Sequence, residues 1–323
     1  MKPIREWSQQ DLADELLHFQ ELASLILPRK ENVPALPDID YFGFVEPYKG
    51  CVGGDHLVFV DFRAYKPETR IKLVQEAGAA ALASGNDGLA AHYNTLVTNL
   101  AKNLDRFGIL VADATGHMTT DNTILNYLHG AFEIGVGYEF LNKGEVTPEL
   151  FEMLNMMLYK HINPREDYVK NKPYMTLLYG EVHNSGRFRF LSAGHPLPLV
   201  FSYEFNRIER SNVDPAETST PLGVLPSNYH ADIERFDPTF ATKDSYSVGE
   251  RRLLMPKDFM IVYTDGLSEQ QSGTRNFCEE RLEGVLREVK DESARGIYEA
   301  IRRELYKFCP PDDDWTAVVV KRK

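Results

Sequence analysis

Cysteine is scarce in this sequence, and its scarcity excludes two classes of protein. The chain has 323 residues and three cysteines, Cys51, Cys278 and Cys309, which lie far apart without a CxxC pair. Neither a disulfide framework nor a thiolate zinc site is compatible with this spacing. We interpret the three cysteines as reduced thiols in the core or on the surface.

Basic residues and long apolar runs are also in short supply. The chain carries 36 basic and 48 acidic residues, a formal net charge of -12. Phosphate backbones and anionic membranes are bound by basic surface, so we expect neither nucleic acid nor membrane as a partner. The strongest apolar runs, "LASLIL" and "TAVVV", are far shorter than a membrane span, and the start "MKPIREWSQQ" is not an apolar signal segment. We therefore expect a folded cytoplasmic protein.

The first part of the chain predicts an amphipathic helix over residues 8–27. It begins at a Ser8 cap and ends before Pro28. Its apolar residues recur every three or four positions: Leu12, Leu16, Phe19, Leu22 and Ile26. Such a stripe packs either against its own domain or against a second copy of the chain, so a homodimer stays open.

Residues 64–104 have a different character from the segments around them. "ETRIKLVQEAGAAALAS" and "GLAAHYNTLVTNLAKNL" are rich in helix formers and are separated by "GND", which predicts an αα-hairpin. We interpret this pair as an insert that supplies no metal ligand. Because it directly precedes the strand that ends at Asp113, we expect it to flank the approach to that strand end.

The remainder of the chain alternates between strands and helices. Strands are predicted at "LPDIDYFGFVEP", "GGDHLVFVDF", "RFGILVADATGHM", "YMTLLYGEV", "RFRFLSAG", "LPLVFSY", "YHADIERF", "DFMIVYTD" and "WTAVVVKRK", and helices over 121–140, 147–161, 276–290 and 293–307. Strands joined mostly by hairpins form antiparallel sheets, which helices can cover on their outer faces. We therefore predict one layered α+β domain over residues 1–323.

Four aspartates share one setting, the start or end of a predicted strand. They are Asp55 in "GGD", Asp113 in "VADATGH", Asp265 in "YTDGLSE" and Asp313 in "PDDDWT". Paired sheets would gather these carboxylates at one end of a sandwich. Aspartate and glycine beside a strand are most often turn residues, and this is the alternative reading of each single position.

The chemistry of four gathered carboxylates points to divalent metal. Like charges raise one another's pKa, so such a cluster needs a counter-charge. Oxygen ligands without cysteine or a histidine pair favour Mg²⁺ or Mn²⁺ over zinc or copper. Two such ions roughly 3.5–4 Å apart can activate a shared water for attack on phosphorus. The pattern therefore indicates phosphate-ester hydrolysis.

The same residues resemble a known family, the metal-dependent PPM serine/threonine phosphatases of the bacterial sporulation and stress-response branch. The resemblance runs in order along almost the whole chain. It comprises the leading helix with "LILPRKENVPALPDIDYFGFVEP", then "VGGD", "ADATGH", "YMTLLYGEV", "LSAGHPLPLVF", "TPLGVLP", "YTDGLSE" and "DDWT". Each motif alone is weak, whereas all of them in sequence order are specific.

The resemblance implies a four-layer αββα sandwich with two Mn²⁺ or Mg²⁺ ions at one end of its two mainly antiparallel sheets. It implies that Asp113 bridges both ions, that the Ala114 carbonyl binds one of them, and that Asp265 and Asp313 hold the other. Asp55 would act directly or through water. The implied activity is hydrolysis of phosphoserine or phosphothreonine on a signalling protein, such as an anti-sigma-factor antagonist.

Three histidines lie in or beside these motifs, and we expect a different role for each. His117 in "ADATGH" is a candidate general acid, because a leaving serine alkoxide needs a proton. His195 between Gly194 and Pro196 is interpreted as a turn histidine that bonds backbone. His56 follows Asp55 and lies on the opposite face of a strand, so we expect it not to bind metal.

Three departures from the family pattern leave a rival function open. "GGD" is followed by His-Leu-Val instead of aromatics and an acid, "GH" is followed by "MTTD", and the helical insert replaces a short hairpin. A pseudo-phosphatase or phosphoprotein-binding module is therefore the alternative, and a scaffold built around the insert is a third hypothesis. A haloacid-type phosphatase is excluded, because Tyr263 stands where its nucleophilic aspartate would be required.

Overall fold

A computed structural model gives the fold of the chain. It describes residues 8–24, 35–48, 53–114, 119–162, 174–209, 218–227, 242–252 and 255–323. The helices are α1 (Gln9–Ala23), α2 (Pro67–Ala83), α3 (Asp87–Lys102), α4 (Thr119–Asn142), α5 (Pro148–Ile162), the short α6 (Asp265–Ser268), α7 (Glu283–Val289) and α8 (Ala294–Phe308). Short 3-10 turns lie at Phe62–Tyr65 and Asn103–Asp105, and a π-helical turn at Cys278–Leu282 leads into α7.

The first sheet is antiparallel throughout. It contains β1 (Ile39–Glu46), β6 (Leu199–Ser202), β7 (Arg207–Glu209), β10 (Phe259–Tyr263) and β13 (Trp315–Arg322). Their spatial order is β1-β13-β10-β6-β7. The valine run of "TAVVV" places β13 between β1 and β10, where both of its edges are paired.

The second sheet is antiparallel except at one pair. It contains β2 (Asp55–Val60), β3 (Arg106–Ala114), β4 (Met175–His183), β5 (Arg187–Ala193), β8 (Thr218–Ser219) and β9 (Gly249–Arg252). The order is β2-β3-β4-β5-β8, with β9 also paired to β5 and only β5–β8 parallel. A separate two-stranded ribbon joins β11 (Gln271–Ser272) to β12 (Arg275–Asn276).

Three apolar layers hold the sheets and helices together. The side chains of Leu57, Val111 and Val262 lie in the layer between the two sheets. A second layer packs the β2–β5 sheet against α4 and α5. The third packs the β13 sheet against α7 and α8. The predicted αββα sandwich is confirmed by this order of layers.

Most predicted helices and strands are present, with differences at their ends. The helices predicted over 121–140 and 147–161 are α4 and α5, which begin and end within a few residues of those bounds. The helix predicted over 8–27 is described as Gln9–Ala23, and its apolar side chains Leu12, Leu16, Phe19, Leu22 and Ile26 lie outside the described residues. The strand predicted at "YHADIERF" also lies outside them.

The insert is a helical pair, as predicted, but its position is not the expected one. It connects the end of β2 to the start of β3 at Arg106, whereas Asp113 lies near the other end of β3. The expectation that it flanks the approach to Asp113 is therefore wrong. The insert leads into the start of β3, and this start lies at the edge of the sheet opposite Asp113. There it buries Val74, Leu96 and Leu100 in the layer beneath α4 and α5.

Two side-chain amides of the insert donate hydrogen bonds to backbone carbonyls of the α4–α5 connection. Asn99 Nδ2 donates to the Lys143 carbonyl at 3.0 Å, and Asn103 Nδ2 donates to the Gly144 carbonyl at 2.6 Å. The insert is thus part of the packed core. In the described part of the chain, no helix is both long and apolar enough to cross a membrane. The cytoplasmic location and the single-domain assignment stay predictions.

The contribution of the insert to the core predicts a difference between two of its leucines. Leu100 is fully buried and Leu82 is 62% exposed. Leu100→Ala should lower the free energy of unfolding by about 2–5 kcal/mol, because it leaves a cavity in the core. Leu82→Ala, the matched control, should change it by no more than about 0.5 kcal/mol. Urea unfolding measures both, and equal small effects would show that the insert is peripheral to the core.

Candidate metal centre

The predicted aspartates lie at one edge of the sandwich because of strand polarity. β2 begins at Asp55 and β3 ends at Ala114, and Asp55 is directly opposite Asp113 in their antiparallel ladder. In the other sheet, β10 ends at Tyr263, two residues before Asp265, and the neighbouring β13 begins at Trp315, two residues after Asp313. Both sheets therefore present acidic chain ends at the same edge.

Asp55 is held between the sheets by two threonines. Thr264 Oγ1 and Thr316 Oγ1 each donate a hydrogen bond to Asp55 Oδ2 at 2.7 Å. Thr264 Oγ1 in turn accepts from the Thr316 N–H at 2.9 Å. All three side chains are buried, with Asp55 only 3% exposed. The contact joins β2 of one sheet to the ends of β10 and β13 in the other.

The second oxygen of Asp55 has unused bonding capacity. Oδ1 is buried, and it has no hydrogen-bond partner in the described part of the chain. A buried carboxylate oxygen without a donor is costly unless a cation balances it. The clamp by Thr264 and Thr316 leaves this oxygen as the one that a metal ion could bind.

The carboxylates perturb one another strongly. Burial raises the pKa of Asp55 well above its usual range, the two threonine hydrogen bonds oppose this rise, and Asp314 and Asp265 add to it. Burial raises the pKa of Asp113 to about 9, with further increases from Asp55, Asp265 and Asp313. Mutual repulsion of this kind requires that the four acids lie close together. Asp55, Asp265 and Asp313 thus lie within electrostatic range of Asp113, and the assignment of these acids as metal ligands stays a prediction.

Neighbouring acids in "PDDDWT" have different environments. Asp314 is buried and its carboxylate accepts hydrogen bonds from the N–H groups of Tyr48 at 2.5 Å and Gly54 at 2.6 Å. A Cβ atom on Gly53 would lie 2.2 Å from Asp314 Cγ, so only glycine allows this close approach. Asp314 therefore fixes the loop before β2, while Asp313 Oδ1 accepts a hydrogen bond from the Asp314 N–H at 2.7 Å, and the choice of Asp313 as the metal ligand stays a prediction.

Another glycine lets the Asp265 turn pack against the same segment. A Cβ atom on Gly266 would lie 2.0 Å from the Asp314 carbonyl oxygen. Asp265 itself is partly exposed at the first position of α6. On the other side of the centre, Ala114 is buried and its N–H donates to the Gly54 carbonyl at 2.9 Å. Close backbone packing thus fixes both chain ends that carry the acids.

His195 lies in a turn beneath the carboxylates. Its backbone N–H and carbonyl both bond the Ser192 hydroxyl, at 3.2 and 2.9 Å. Its side chain contacts a hydroxyl, with Nδ1 at 2.8 Å from Thr176 Oγ1, and the Tyr263 backbone also interacts with the imidazole. Thr176 is opposite Asp113 in the β3–β4 ladder. Burial lowers the pKa of His195 to about 3, so the imidazole is neutral.

His56 lies on the other face of β2, as its position after Asp55 predicts. Its Nε2 atom is 2.9 Å from Nδ1 of His129 on α4. Burial, with a smaller effect from His129, lowers the pKa of His56 to about 3. The pair is neutral at physiological pH and ties β2 to α4. His117 lies outside the described residues, so its assignment as a general acid stays a prediction.

Sequence reasoning missed the groups that hold the acids in place. Thr264 and Thr316 stand within "YTDG" and "DDWT", but a strand pattern alone does not show that they bond the same carboxylate. His129 has no motif around it. The sequence signal for the threonines was that each lies within three residues of a candidate acid. Thr264 is one residue before Asp265, and Thr316 is three residues after Asp313.

The donor set fits hard divalent cations. Asp55, Asp113, Asp265 and Asp313 offer oxygen only, the ligand type that Mg²⁺ and Mn²⁺ prefer. Among the described residues, however, no three acidic, histidine or cysteine side chains already form a ligand set. The acids are therefore close enough to change the pKa of Asp113, without forming a completed ligand set.

Comparisons with known proteins agree with this arrangement. The family model described as "Stage II sporulation protein E (SpoIIE)" matches residues 103–323. The SiaA-PP2C domain of Pseudomonas aeruginosa is similar in structure, with a TM-score of 0.60 and 15% identity over 98% of each chain. A search among curated proteins found no match.

Two further solved structures are similar to this chain. The RsbU and RsbW domains of Rv1364c from Mycobacterium tuberculosis give a TM-score of 0.56 at 18% identity, over 90% of this chain and 62% of that one. A SpoIIE phosphatase-domain structure from Bacillus subtilis gives 0.54 at 12% identity, over 88% and 62%. The chain thus spans less than two thirds of either solved chain, and these likenesses bear on the fold alone.

The threonine clamp predicts an effect on metal affinity. Thr264→Val removes one donor from Asp55 Oδ2 without changing the shape of the side chain. Loss of such a supporting hydrogen bond typically weakens metal binding about 10–100-fold. Thr264→Ser, the matched control, keeps the hydroxyl and should bind Mn²⁺ almost as the wild type does. Calorimetric titration with Mn²⁺ measures this, and equal affinities for the valine and serine variants would refute the role of the clamp.

The raised pKa of Asp113 predicts how stability changes with pH when metal is absent. Above pH 7 the folded chain keeps a proton that the unfolded chain, with an aspartate pKa of 3.8, has lost. Stability should therefore fall as pH rises from 7 toward 9. Excess Mg²⁺ should abolish this fall, because the cation replaces the proton.

Asp113→Asn provides the control for this pH effect, since the amide does not titrate. The metal-free variant should lose less stability between pH 7 and 9 than the metal-free wild type does. Urea unfolding at several pH values gives the comparison. Identical slopes for the two proteins would mean that Asp113 is ionised in the folded state.

Proposed function

Because the chain belongs to the SpoIIE family of PP2C-type phosphatases, we propose that it is a Mn²⁺- or Mg²⁺-dependent phosphatase that hydrolyses phosphoserine and phosphothreonine on a protein. The observation that carries the proposal is the group of carboxylates at the edge shared by both sheets, with Asp55 buried and Asp113, Asp265 and Asp313 partly exposed around it. Asp55 and Asp113 have raised pKa values there, so the cluster favours binding of cations. A purely structural turn would not require a buried aspartate to face a second, partly exposed aspartate across the β2–β3 ladder.

Each acid has a proposed role toward two ions. Asp113 and the Ala114 carbonyl would hold one ion, with Asp113 shared between the two, and Asp265 and Asp313 would hold the other. Asp55 completes the centre through Oδ1, directly or through water, since Oδ2 is engaged by Thr264 and Thr316. When bound, two such ions supply an activated water and charge neutralisation for an attack on the phosphoryl group.

The residues of the chain position this chemistry. The threonine clamp fixes the orientation of the Asp55 carboxylate and favours its ionised form. Asp314 holds the loop before β2 against the last strand, so the Asp55 and Asp313 segments keep one spacing. His117 is the proposed donor of a proton to the leaving serine or threonine oxygen.

The proposed substrate is a phosphoprotein of bacterial signalling. The resemblance to the stress-response and sporulation branch supports an anti-sigma-factor antagonist as its class. A homodimer through α1 is also proposed, on the basis of the apolar spacing in its sequence. The net charge of -12 is consistent with a protein partner and not with nucleic acid.

Substitution of single aspartates tests which of them bind metal. Asp113→Asn and Asp313→Asn should each lower Mn²⁺-dependent hydrolysis of p-nitrophenyl phosphate by more than about 100-fold, because each removes a charged ligand of a hard cation. Asp312→Asn, the matched control on the exposed neighbour of Asp313, should retain activity. The same variants are then assayed on a phosphoserine protein.

Two results would contradict the proposal. Full wild-type hydrolysis in excess EDTA would exclude the metal-dependent reaction. Mn²⁺ binding without hydrolysis of either substrate would favour the pseudo-phosphatase alternative. A circular dichroism spectrum like that of the wild type shows that a variant has folded, so loss of activity then reports on the site.

A further inference from the structure

A charged cleft lies at the end of the second sheet that is remote from the carboxylate centre. In the β3–β4 ladder, Arg106 is opposite His183 at one end, and Asp113 is opposite Thr176 near the other. At about 3.4 Å per residue, Arg106 and Asp113 are roughly 24 Å apart along the strand. The cleft therefore does not overlap the proposed metal site.

The cleft is built by the insert together with the sheet. It encloses about 490 Å³ and is lined on opposite sides by Lys102 of α3 and Arg189 of β5. A smaller cavity of about 240 Å³ shares Glu145 with it and continues between α3 and the α4–α5 connection. The larger volume lies within the range of small-molecule sites, about 300–1,000 Å³.

Two ion pairs account for part of the charge in the cleft. Arg106 Nη1 donates to Glu181 Oε2 at 2.5 Å, and the Tyr179 hydroxyl donates to Glu181 Oε1 at 3.0 Å. Arg106 and Glu181 are both buried, so they form a fixed and neutral floor. At the rim, Arg187 contacts Glu250. These pairs still leave one donor in the floor of the cleft, because the buried Nη2 group of Arg106 has no hydrogen-bond partner in the described part of the chain.

The other charged side chains that line the cleft, Lys102, Arg189 and Glu145, carry a net positive charge. Lys102 Nζ and Arg189 Nη1 both lie near Glu145 Oε2, at 3.8 and 3.7 Å, so two cations share one carboxylate. Neither distance is a hydrogen bond. Arg189 Nη1 is also 3.5 Å from Glu181 Oε2 and donates a long hydrogen bond of 3.4 Å to the Val146 carbonyl.

This leaves Arg189 with donors to spare. Its side chain is only 26% exposed. In the part of the chain that the structure describes, its guanidinium makes no hydrogen bond other than the one to Val146. A guanidinium has five N–H donors in a planar fork that matches an oxyanion. A local excess of cations in a chain with a net charge of -12 is a place where such an anion would be attracted.

We infer that this cleft binds a small oxyanion, the phosphate group of inorganic phosphate or of a phosphorylated metabolite. Arg189 donates to the phosphate oxygens through its unused N–H groups, and the Lys102 ammonium, which also donates to Asn99 Oδ1 at 3.0 Å, adds a second positive charge from the insert. Charge-assisted hydrogen bonds to phosphate are the strong contacts of such a site. The cleft is a second binding site, separate from hydrolysis, and its existence does not depend on the proposed function.

The test measures phosphate binding to protein without metal. The protein is stripped of metal with a chelator and then dialysed into chelator-free buffer, so that neither a metal centre nor the chelator competes. Calorimetric titration at constant ionic strength should show saturable binding of inorganic phosphate at one site. A parallel titration with glycerol 2-phosphate distinguishes the sources, because tighter binding of the ester would identify a phosphorylated metabolite as the ligand.

Three variants assign the binding to the cleft. Arg189→Gln and Lys102→Glu should each weaken phosphate binding by about tenfold or more, since each removes a charged donor. Lys102 has a half-exposed side chain, so its replacement tests the site even if the Arg189 variant fails to fold. Arg207→Gln, a control on the exposed β7 arginine outside the cleft, should bind phosphate as the wild type does.

Two outcomes would overturn the inference. The first is absence of saturable binding to the wild-type protein. The second is an unchanged affinity in folded Lys102→Glu, which would mean that phosphate binds elsewhere on the surface.

Discussion

The Asp55 carboxylate held between the two sheets is the interaction on which the site depends. Its Oδ2 atom receives hydrogen bonds from Thr264 and Thr316, which belong to the other sheet. These bonds occur at the edge of the apolar layer between the sheets, where water is excluded and a hydrogen bond to a charge is strong. They fix the distance between the sheets at the edge where the acids gather, and they orient Oδ1 for a cation.

The same two sheets have chemically different ends. At one end, burial raises the pKa of both Asp55 and Asp113, neighbouring carboxylates raise both pKa values further, and the group favours positive charge. At the other end, Arg106 is neutralised by Glu181, and Arg189 keeps unused donors. These two ends lie about the length of β3 apart, because Arg106 begins this strand and Asp113 lies near its end. One packed core thus supports a centre that attracts cations and a cleft that attracts anions.

Much of this fold could be predicted from sequence because its local patterns agree with its tertiary structure. Alternating strands and capped helices gave the layers, and aspartates at strand ends predicted an acidic edge. Asp313 was distinguished from Asp314 by its place in a motif, and this choice stays a prediction, while the hydrogen bonds of Asp314 fix the loop before β2.

What sequence could not supply was contact across the fold. The clamp joins Asp55 to threonines more than 200 residues away, and His129 meets His56 across two layers. Strand spacing does not show such pairs. The insert was placed at the wrong edge, because its nearness to Asp113 in sequence was taken as nearness in space. Seven residues of β3, 106–112, lie between them.

Calorimetric titration of the metal-free protein with Mn²⁺ at pH 7, in buffers of different ionisation enthalpy, tests the central claim most directly. The account predicts two ions per chain and release of protons on binding, because Asp113, with a pKa of about 9, holds a proton until a cation replaces it. Binding of no ion, or binding without proton release, would contradict it.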